Sequence, residues 1–275
     1  MKTTTEQGLR ETICEIGRMM YDRGFIAGGD GNISARLDDG SILATPTMVC
    51  KGRMTPDMIV RTDAGGRKLA GERNASSELA MHLVIYRLRP DITAVVHTHP
   101  PIATGFAVAG IPLDRAILSE VVLTLGCIPL TDYGTPSTDE LVENLEPFIP
   151  AHDALLLANH GAVAYGRDME VALSNMETLE HVARISLVAH MLGGARSLPG
   201  EAVAKLIEVR ERAGYMGSYE RPPQACSFTP GRAAGPPQSN GNGGGPRGDE
   251  ESITITRSEL IRLVEESARR LVGGR

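Results

Sequence analysis

Residues 94–100 have the sequence Ala94-Val95-Val96-His97-Thr98-His99-Pro100, and the rest of the chain is best interpreted from them. The β-branched run is typical of a buried strand. Side chains alternate between the two faces of a strand, so His97 and His99 project from the same face and Thr98 from the other. Two imidazoles on one face, where the strand ends at a proline, form half of a metal site.

A third histidine follows another apolar run, Leu155-Leu156-Leu157-Ala158-Asn159-His160-Gly161. Here again a predicted strand leads directly into a histidine. Catalytic zinc sites keep one position open beside three protein ligands, whereas structural zinc sites are closed by four. Three histidines at strand ends therefore favour a catalytic zinc site, with a structural site as the alternative.

The composition excludes several classes of protein. Of 275 residues, 41% are hydrophobic, which is enough for a substantial core, and the net charge is -6. An acidic chain without a lysine or arginine cluster is not expected to bind nucleic acid. No stretch has the length of a membrane span, and residues 1–6 lack the apolar run of a signal peptide. The four cysteines have no CxxC spacing and are predicted to be reduced thiols of a cytoplasmic protein.

The order of the predicted elements indicates an α/β fold. Turn signals at Asp38-Asp39-Gly40 and Ala64-Gly65-Gly66 predict hairpins in the first third of the chain. Strands and helices alternate further on, and residues 168–192 carry apolar side chains at helical spacing. We therefore expect a sheet layered with helices.

Two segments are candidates for binding an anion. Ser76-Ser77-Glu78 opens a predicted helix that runs to Leu88, with Ser76 or Ser77 as its N-cap. Capping alone explains the serines, and an acid in the first turn suits the helix dipole, yet such a helix start also binds phosphate. The glycine-rich segment 28–34 can bring backbone N–H groups close to an anion, although an ordinary turn is the alternative.

Five short motifs together resemble the class II aldolase/adducin family. In the family's order and spacing they are Gly31-Asn32-Ile33-Ser34, Thr45-Pro46-Thr47, Ser76-Ser77-Glu78, His97-Thr98-His99-Pro100 and Asn159-His160-Gly161. The resemblance implies a three-layer fold with a central mixed, mostly antiparallel sheet covered by helices. It also implies a homotetramer and a catalytic domain over residues 1–221.

The resemblance assigns roles to particular residues. His97, His99 and His160 correspond to the zinc ligands of the family, and Glu78 to the catalytic acid/base, which can also approach the metal. Tyr215 matches a tyrosine that donates a proton from a neighbouring subunit. The implied phosphate pocket consists of Gly31, Asn32, Thr47, Ser76 and Ser77.

Two of the chain's departures from the family pattern concern the implied site. Aldolases of the family often have glycine after Thr-Pro-Thr, where this chain has Met48. A tyrosine that some of them carry before the Cys127 region is absent, and Leu118 or its neighbours stand in its place.

The reaction implied is zinc-dependent cleavage of a ketose 1-phosphate, of the L-fuculose 1-phosphate type. The products would be dihydroxyacetone phosphate and a small aldehyde such as lactaldehyde. Epimerases and dehydratases of sugar phosphates in the same family are the main alternative, because they use the same metal and loop. A non-catalytic, adducin-like binding domain is a further alternative, which the presence of Glu78 and all three histidines disfavours.

The C-terminal part of the chain differs in composition from the rest. Residues 222–250 are rich in Pro and Gly and predict a disordered linker. Residues 251–275 predict an amphipathic helix, which is not stable alone and needs a surface for its apolar stripe. This tail resembles the encapsulation peptides of enzymes housed in bacterial microcompartments. It implies shell or cargo proteins as partners and the microcompartment lumen as location, with an oligomerisation helix or a helix folded back on the core as the alternatives.

Overall fold

A five-residue strand, Ala94–Thr98, lies in the middle of an eight-stranded sheet in the computed structural model, which describes residues 5–213 of the protein. The helices of this range are α1 (Glu6–Asp22), α2 (Leu79–Leu88), α3 (Pro101–Val108), α4 (Ser119–Thr124), α5 (Asp139–Leu145), α6 (Met169–Met191) and α7 (Gly200–Arg212). The strands are β1 (Asn32–Arg36), β2 (Ile42–Ala44), β3 (Val60–Thr62), β4 (Lys68–Ala70), β5 (Ala94–Thr98), β6 (Leu130–Thr131), β7 (Ala154–Leu157) and β8 (Gly161–Gly166).

The sheet has the strand order β4-β3-β2-β1-β5-β8-β7-β6. Neighbouring strands are antiparallel except β6 and β7, which are parallel. The prediction of a mixed, mostly antiparallel sheet is therefore confirmed. Because β8 lies antiparallel between β5 and β7, these two strands run in the same direction and end at the same edge of the sheet.

Helices cover both faces of the sheet, because the central strands are apolar on both sides. Ala94 and Val96 belong to a core cluster with side chains of α1, α3 and α6, whereas Val95 belongs to a second cluster with α2 and α5. All three are fully buried. Fully burying a valine side chain stabilises the fold by about 1.5–3 kcal/mol. The result is the three-layer α/β arrangement that the sequence predicts.

A side chain of α6 fixes the connection from β5 to α3. Glu180 of α6 is buried, and its carboxylate accepts hydrogen bonds from the backbone N–H of Ala103 at 2.9 Å and of Ile102 at 3.3 Å. A carboxylate at a helix N-terminus satisfies free N–H groups and suits the helix dipole. This contact fixes the start of α3 and therefore the His99-Pro100 turn that precedes it.

Some predictions fall outside the described part of the chain, and others are tested within it. The linker 222–250 and the helix 251–275 lie outside the described residues. Across residues 5–213, no helix combines the length and the apolarity needed to cross a bilayer. Cys14 and Cys50 are free thiols.

Candidate active site

The three predicted histidines meet at the edge where β5 and β7 end. His97 lies on β5 opposite Asn32 of β1 and Val163 of β8, and His99 follows the end of β5. His160 occupies the tight turn from β7 to β8. Asn159 takes a φ of 54° there, a left-handed conformation that asparagine tolerates better than most residues.

The three imidazoles face one another. Their ring centroids are 4.8–5.1 Å apart, and one ligand nitrogen of each lies within 4.8 Å of the others. The Nδ1 atom of His97 lies 2.9 Å from the carbonyl oxygen of Ala162 and must donate its proton to that acceptor. The Nε2 atom of His97 then has a free lone pair. This tautomer is the one in which a histidine binds a metal through Nε2.

Glu78 lies against this cluster. Its Oε2 atom is 3.4 Å from His97 Nε2, and its Oε1 atom is 3.2 Å from His160 Nε2. Burial by itself would raise the pKa of the Glu78 carboxyl. The contacts with His160 and His97 outweigh burial and hold that pKa well below its usual value. The carboxylate is therefore ionised at neutral pH.

The residues present fit a divalent cation. Three neutral imidazoles and one carboxylate are the donor set that zinc prefers, and nitrogen lone pairs of His97 and His99 only 3.3 Å apart repel unless a proton or cation lies between them. Burial, with the neighbouring imidazoles, lowers the pKa of His99 to about 4, so this ring is neutral at neutral pH and has a lone pair to offer a cation. Glu78 Oε1 and His160 Nδ1 are buried and lack a well-formed hydrogen bond within the described residues. Together these four side chains can hold a metal ion.

Two glycines of the motifs are required by close packing at the cluster. A Cβ atom on Gly161 would lie 2.5 Å from His99 Cδ2 and 2.7 Å from the Thr98 carbonyl oxygen. Gly31 has a φ of 66°, and a Cβ atom there would lie 2.7 Å from the His97 carbonyl oxygen. Any larger residue at either position would displace the histidine strand.

The predicted phosphate residues belong to loops that the structure joins. Pro46 forms an isolated β-bridge with Ala75, the Thr47 N–H donates to the Asn74 carbonyl at 3.1 Å, and the Ser76 N–H donates to the Thr45 carbonyl at 3.0 Å. These bonds place Thr47 beside the two serines.

The helix after the serines begins later than predicted. Since the Ser76 backbone is paired with Thr45, α2 begins at Leu79 and Glu78 occupies its N-cap position. The prediction of a serine N-cap is therefore wrong. Ser76 Oγ accepts a 3.3 Å bond from the Glu78 N–H instead.

Sequence reasoning missed two residues near the site. Lys51 is buried, and its Nζ donates to the carbonyl of Gly29 in the glycine-rich loop at 2.5 Å. Burial lowers the pKa of Lys51, while Asp30 and Glu78 favour its charged form. His82 is also buried, and its Nε2 atom lies 2.5 Å from Asn32 Oδ1. The four-residue spacing between Glu78 and His82 was the available signal, because it places both on one face of a helix.

Three positions differ from the pattern or are not described. Asn32 is buried with its amide directed to Glu78. Met48 is exposed and has a φ of 57°, which explains why glycine suits that position better. Tyr215 lies outside the described residues.

A three-layer α/β fold with imidazoles and a carboxylate converging at one sheet edge defines the class of a metal-dependent enzyme. Residues 11–187 match the Class II Aldolase and Adducin N-terminal domain family. The chain belongs to this family.

Individual relatives agree with the match. A 3-oxo-tetronate 4-phosphate decarboxylase from Escherichia coli is 35% identical over 187 residues, covering 66% of this chain and 88% of that protein. An L-fuculose phosphate aldolase from Methanococcus maripaludis is 35% identical over 178 residues, covering 65% and 96%. The solved structure of an L-fuculose 1-phosphate aldolase superposes with a TM-score of 0.70 at 27% identity, over 77% of this chain and 100% of that one. The predicted family, fold and lyase class are confirmed.

Proposed function

We propose that the protein is a zinc-dependent aldolase that cleaves a ketose 1-phosphate of the L-fuculose 1-phosphate type. The products are dihydroxyacetone phosphate and a small aldehyde such as lactaldehyde. The observation that carries the proposal is the Glu78 carboxylate, ionised and 3.2–3.4 Å from two of three converging imidazoles. This geometry supports a role for Glu78 in proton transfer beside a candidate metal site.

The side chains present suit the proton transfers of a retro-aldol reaction. A divalent cation held by His97, His99 and His160 supplies a Lewis acid that polarises the substrate ketone. The ionised Glu78 accepts the proton of the substrate hydroxyl as the carbon–carbon bond breaks. The bonding electron pair stays on the carbon next to the ketone, and Glu78 returns the proton to that carbon. The carboxylate ends the cycle ionised, as it began.

The loops beside Glu78 suit a phosphate group. Gly31, Asn32, Thr47, Ser76 and Ser77 are proposed to line this pocket. The proposed donors are the hydroxyls of Thr47, Ser76 and Ser77, because the Thr47 and Ser76 N–H groups are bonded to carbonyls and the Asn32 side chain to Glu78 and His82. The buried ammonium of Lys51 beneath the glycine-rich loop adds positive charge on this side of the site. Binding energy from the phosphate positions the reacting carbons without contacting them.

A decarboxylase is the second candidate, because the Escherichia coli relative carries that name at 35% identity. Loss of carbon dioxide from a 3-oxo acid and retro-aldol cleavage both leave an electron pair on the carbon next to a ketone. The same Lewis acid and the same proton donor serve both reactions. The two differ in the leaving group, carbon dioxide or an aldehyde.

The deciding experiment measures dihydroxyacetone phosphate released from L-fuculose 1-phosphate and, separately, from 3-oxo-tetronate 4-phosphate. Zinc-loaded protein, chelated protein and the Glu78→Gln variant are compared, with Glu170→Gln, an exposed acid of α6, as the control. We expect zinc-dependent release from the first substrate, a loss of roughly 10²–10⁴-fold in Glu78→Gln and no loss in the control.

Other outcomes of this assay identify the alternatives. Faster release from the 3-oxo acid would make the protein a decarboxylase. A new sugar phosphate without cleavage would indicate an epimerase or dehydratase. Zinc binding without turnover of any sugar phosphate would favour a structural or adducin-like role.

A homotetramer is part of the proposal. An apolar cavity of about 530 Å³ opens between α3 and the end of α6, with Leu187 and His190 in its lining. The next two residues of the chain, Met191 and Leu192, are 77% and 82% exposed. Contiguous exposed apolar surface is typical of an interface between subunits. Light scattering of the Met191→Glu, Leu192→Glu double variant tests this. A wild-type mass for the variant would exclude this surface as the interface.

The tail is proposed to direct the enzyme into a bacterial microcompartment. Enclosure suits an enzyme whose product is a reactive aldehyde. Deletion of residues 222–275 should leave turnover unchanged and abolish co-purification with shell proteins. Co-purification that survives the deletion would exclude this role.

A further inference from the structure

Five polar side chains form a continuous chain between α2 and β1, and two of them lie outside the five motifs. Glu78, His82 and Tyr86 are spaced four residues apart along one face of the α2 segment, and Asn32 and Ser34 lie on the face of β1 toward it. Apart from Glu78, each of these residues is at most 5% exposed. Buried polar groups cost about 1–3 kcal/mol each unless they are hydrogen-bonded.

Every link in this chain is a hydrogen bond. Tyr86 OH lies 2.8 Å from Ser34 Oγ, and Ser34 Oγ lies 2.6 Å from His82 Nδ1. His82 Nε2 lies 2.5 Å from Asn32 Oδ1, and Asn32 Nδ2 donates to Glu78 Oε2 at 2.8 Å. The chain crosses between helix and strand at each step and ends at the carboxylate beside the histidine cluster.

The chemistry of the groups fixes the direction of every bond. The Glu78 carboxylate can only accept, so Asn32 donates through its amide nitrogen and its carbonyl oxygen is left as an acceptor. His82 must then donate through Nε2. Burial lowers the pKa of His82 to about 3, so the ring is neutral and its Nδ1 atom accepts from the Ser34 hydroxyl. Ser34 in turn accepts from the Tyr86 hydroxyl.

We propose that His82 is a positioning residue that, through Asn32, aims the Glu78 carboxylate for proton transfer. The inference rests on the proposed function of Glu78. Without the Nε2 donor, the Asn32 amide could rotate by half a turn and present its oxygen to the carboxylate. The lost bond would free Glu78 to leave the orientation required for proton transfer.

Two variants of His82 separate positioning from packing. His82→Gln keeps an amide donor near the position of Nε2, whereas His82→Leu fills the space without one. Tyr86→Phe removes only the hydroxyl at the far end of the chain and is the control. All are prepared as zinc-loaded, full-length protein, with zinc content and melting temperature measured for each.

The readout is the exchange of carbon-bound hydrogen of dihydroxyacetone phosphate with D2O, which reports proton transfer without carbon–carbon cleavage. We expect kcat for exchange to fall about 10–100-fold in His82→Leu, with KM and zinc content unchanged. His82→Gln should recover most of the rate, and Tyr86→Phe should stay within about 3-fold of wild type, because it lies furthest from Glu78. Equal rates in wild type and His82→Leu, or equal losses in the Leu and Gln variants, would overturn the proposal.

A second measurement does not depend on activity. In the ¹⁵N spectrum of histidine-labelled, zinc-loaded protein, the signal lost in His82→Gln should show a neutral ring protonated at Nε2. A ring protonated at Nδ1, or at both nitrogens, would contradict the chain of donors. Absence of exchange in wild type together with the expected tautomer would refute the proposed role of Glu78 while leaving the hydrogen-bond chain intact.

Discussion

Strands β5 and β7 have a polar cluster near each end, and the two clusters differ in kind. Before these strands begin, Arg89 pairs with Asp91 at 2.8 Å and with Asp153 at 3.0 Å, and it also donates to the carbonyls of Ile149 and His152. After the strands end, a carboxylate meets three imidazoles. In the first cluster both carboxylates are paired with the same arginine, whereas the second gathers four electron-pair donors around a shared point.

The difference distinguishes a structural cluster from a functional one. Arg89 is 4% exposed and has its fork of donors directed at carboxylates and carbonyls, so the cluster is complete as it stands. The histidine cluster is complete only with a cation. Oppositely charged groups that pair with one another indicate a cluster that stabilises the fold. Several electron-pair donors that converge without a partner cation indicate a ligand site.

The largest effect is expected when a metal ligand is removed. His97→Ala leaves two imidazoles and one carboxylate, so we expect loss of bound zinc and of all measurable turnover. His181→Ala, an exposed histidine of α6, is the matched control and should keep both. Metal analysis after gel filtration checks the prediction. Stoichiometric zinc in His97→Ala would place the metal elsewhere.

Removal of the arginine at the opposite edge should affect stability and not catalysis. Arg89→Met leaves two carboxylates without their buried cation, which costs about 3–5 kcal/mol of unfolding free energy. The kcat of the protein that remains folded should be unchanged. Arg67→Met breaks the exposed pair with Asp63 and should cost less than about 1 kcal/mol. Denaturant titration measures both, and similar losses in the two variants would contradict the contrast between the edges.

A methyl group added at Gly161, beside the histidine cluster, should weaken metal binding. Gly161→Ala forces the His99 ring away from its position, because the new Cβ atom would lie 2.5 Å from it. We expect zinc affinity to fall about 10–100-fold. Gly105→Ala in α3, where a Cβ atom meets nothing within 4 Å, is the control. Competition with a chromophoric chelator measures the affinity, and equal values for the two variants would refute the steric argument.

The last prediction concerns the dependence of folding stability on pH. In the unfolded chain His82 takes up a proton below about pH 6.5. In the folded protein it does so only near its lowered pKa of about 3. Folding stability therefore falls as the pH is lowered from 6.5 to 3, by up to about 1.4 kcal/mol per pH unit from this residue.

His82→Gln should remove that part of the slope, and Tyr86→Phe should keep it. Chelated protein is used, so that metal release does not contribute to the unfolding free energies at pH 5 and pH 7. Parallel slopes in all three proteins would show that His82 does not stay neutral in the fold.

The sequence predicted the site because its main parts have local signatures. His97 and His99 share a face through the two-residue period of a strand, and His160 follows an apolar run of its own. The motif around Glu78 placed the acid near a helix start. The serine N-cap was wrong because pairing of Ser76 with Thr45 is a contact between segments thirty residues apart.

Only the tertiary structure decided which distant groups meet. The sequence places histidines at the ends of β5 and β7, but these ends share an edge only because β8 runs antiparallel between the two strands. The approach of Glu78 to His97 and His160, and the chain from Tyr86 to Glu78, depend on the packing of α2 against β1. Local periodicity determines the face of its own strand or helix on which a side chain lies. Long-range packing determines which other element that face contacts.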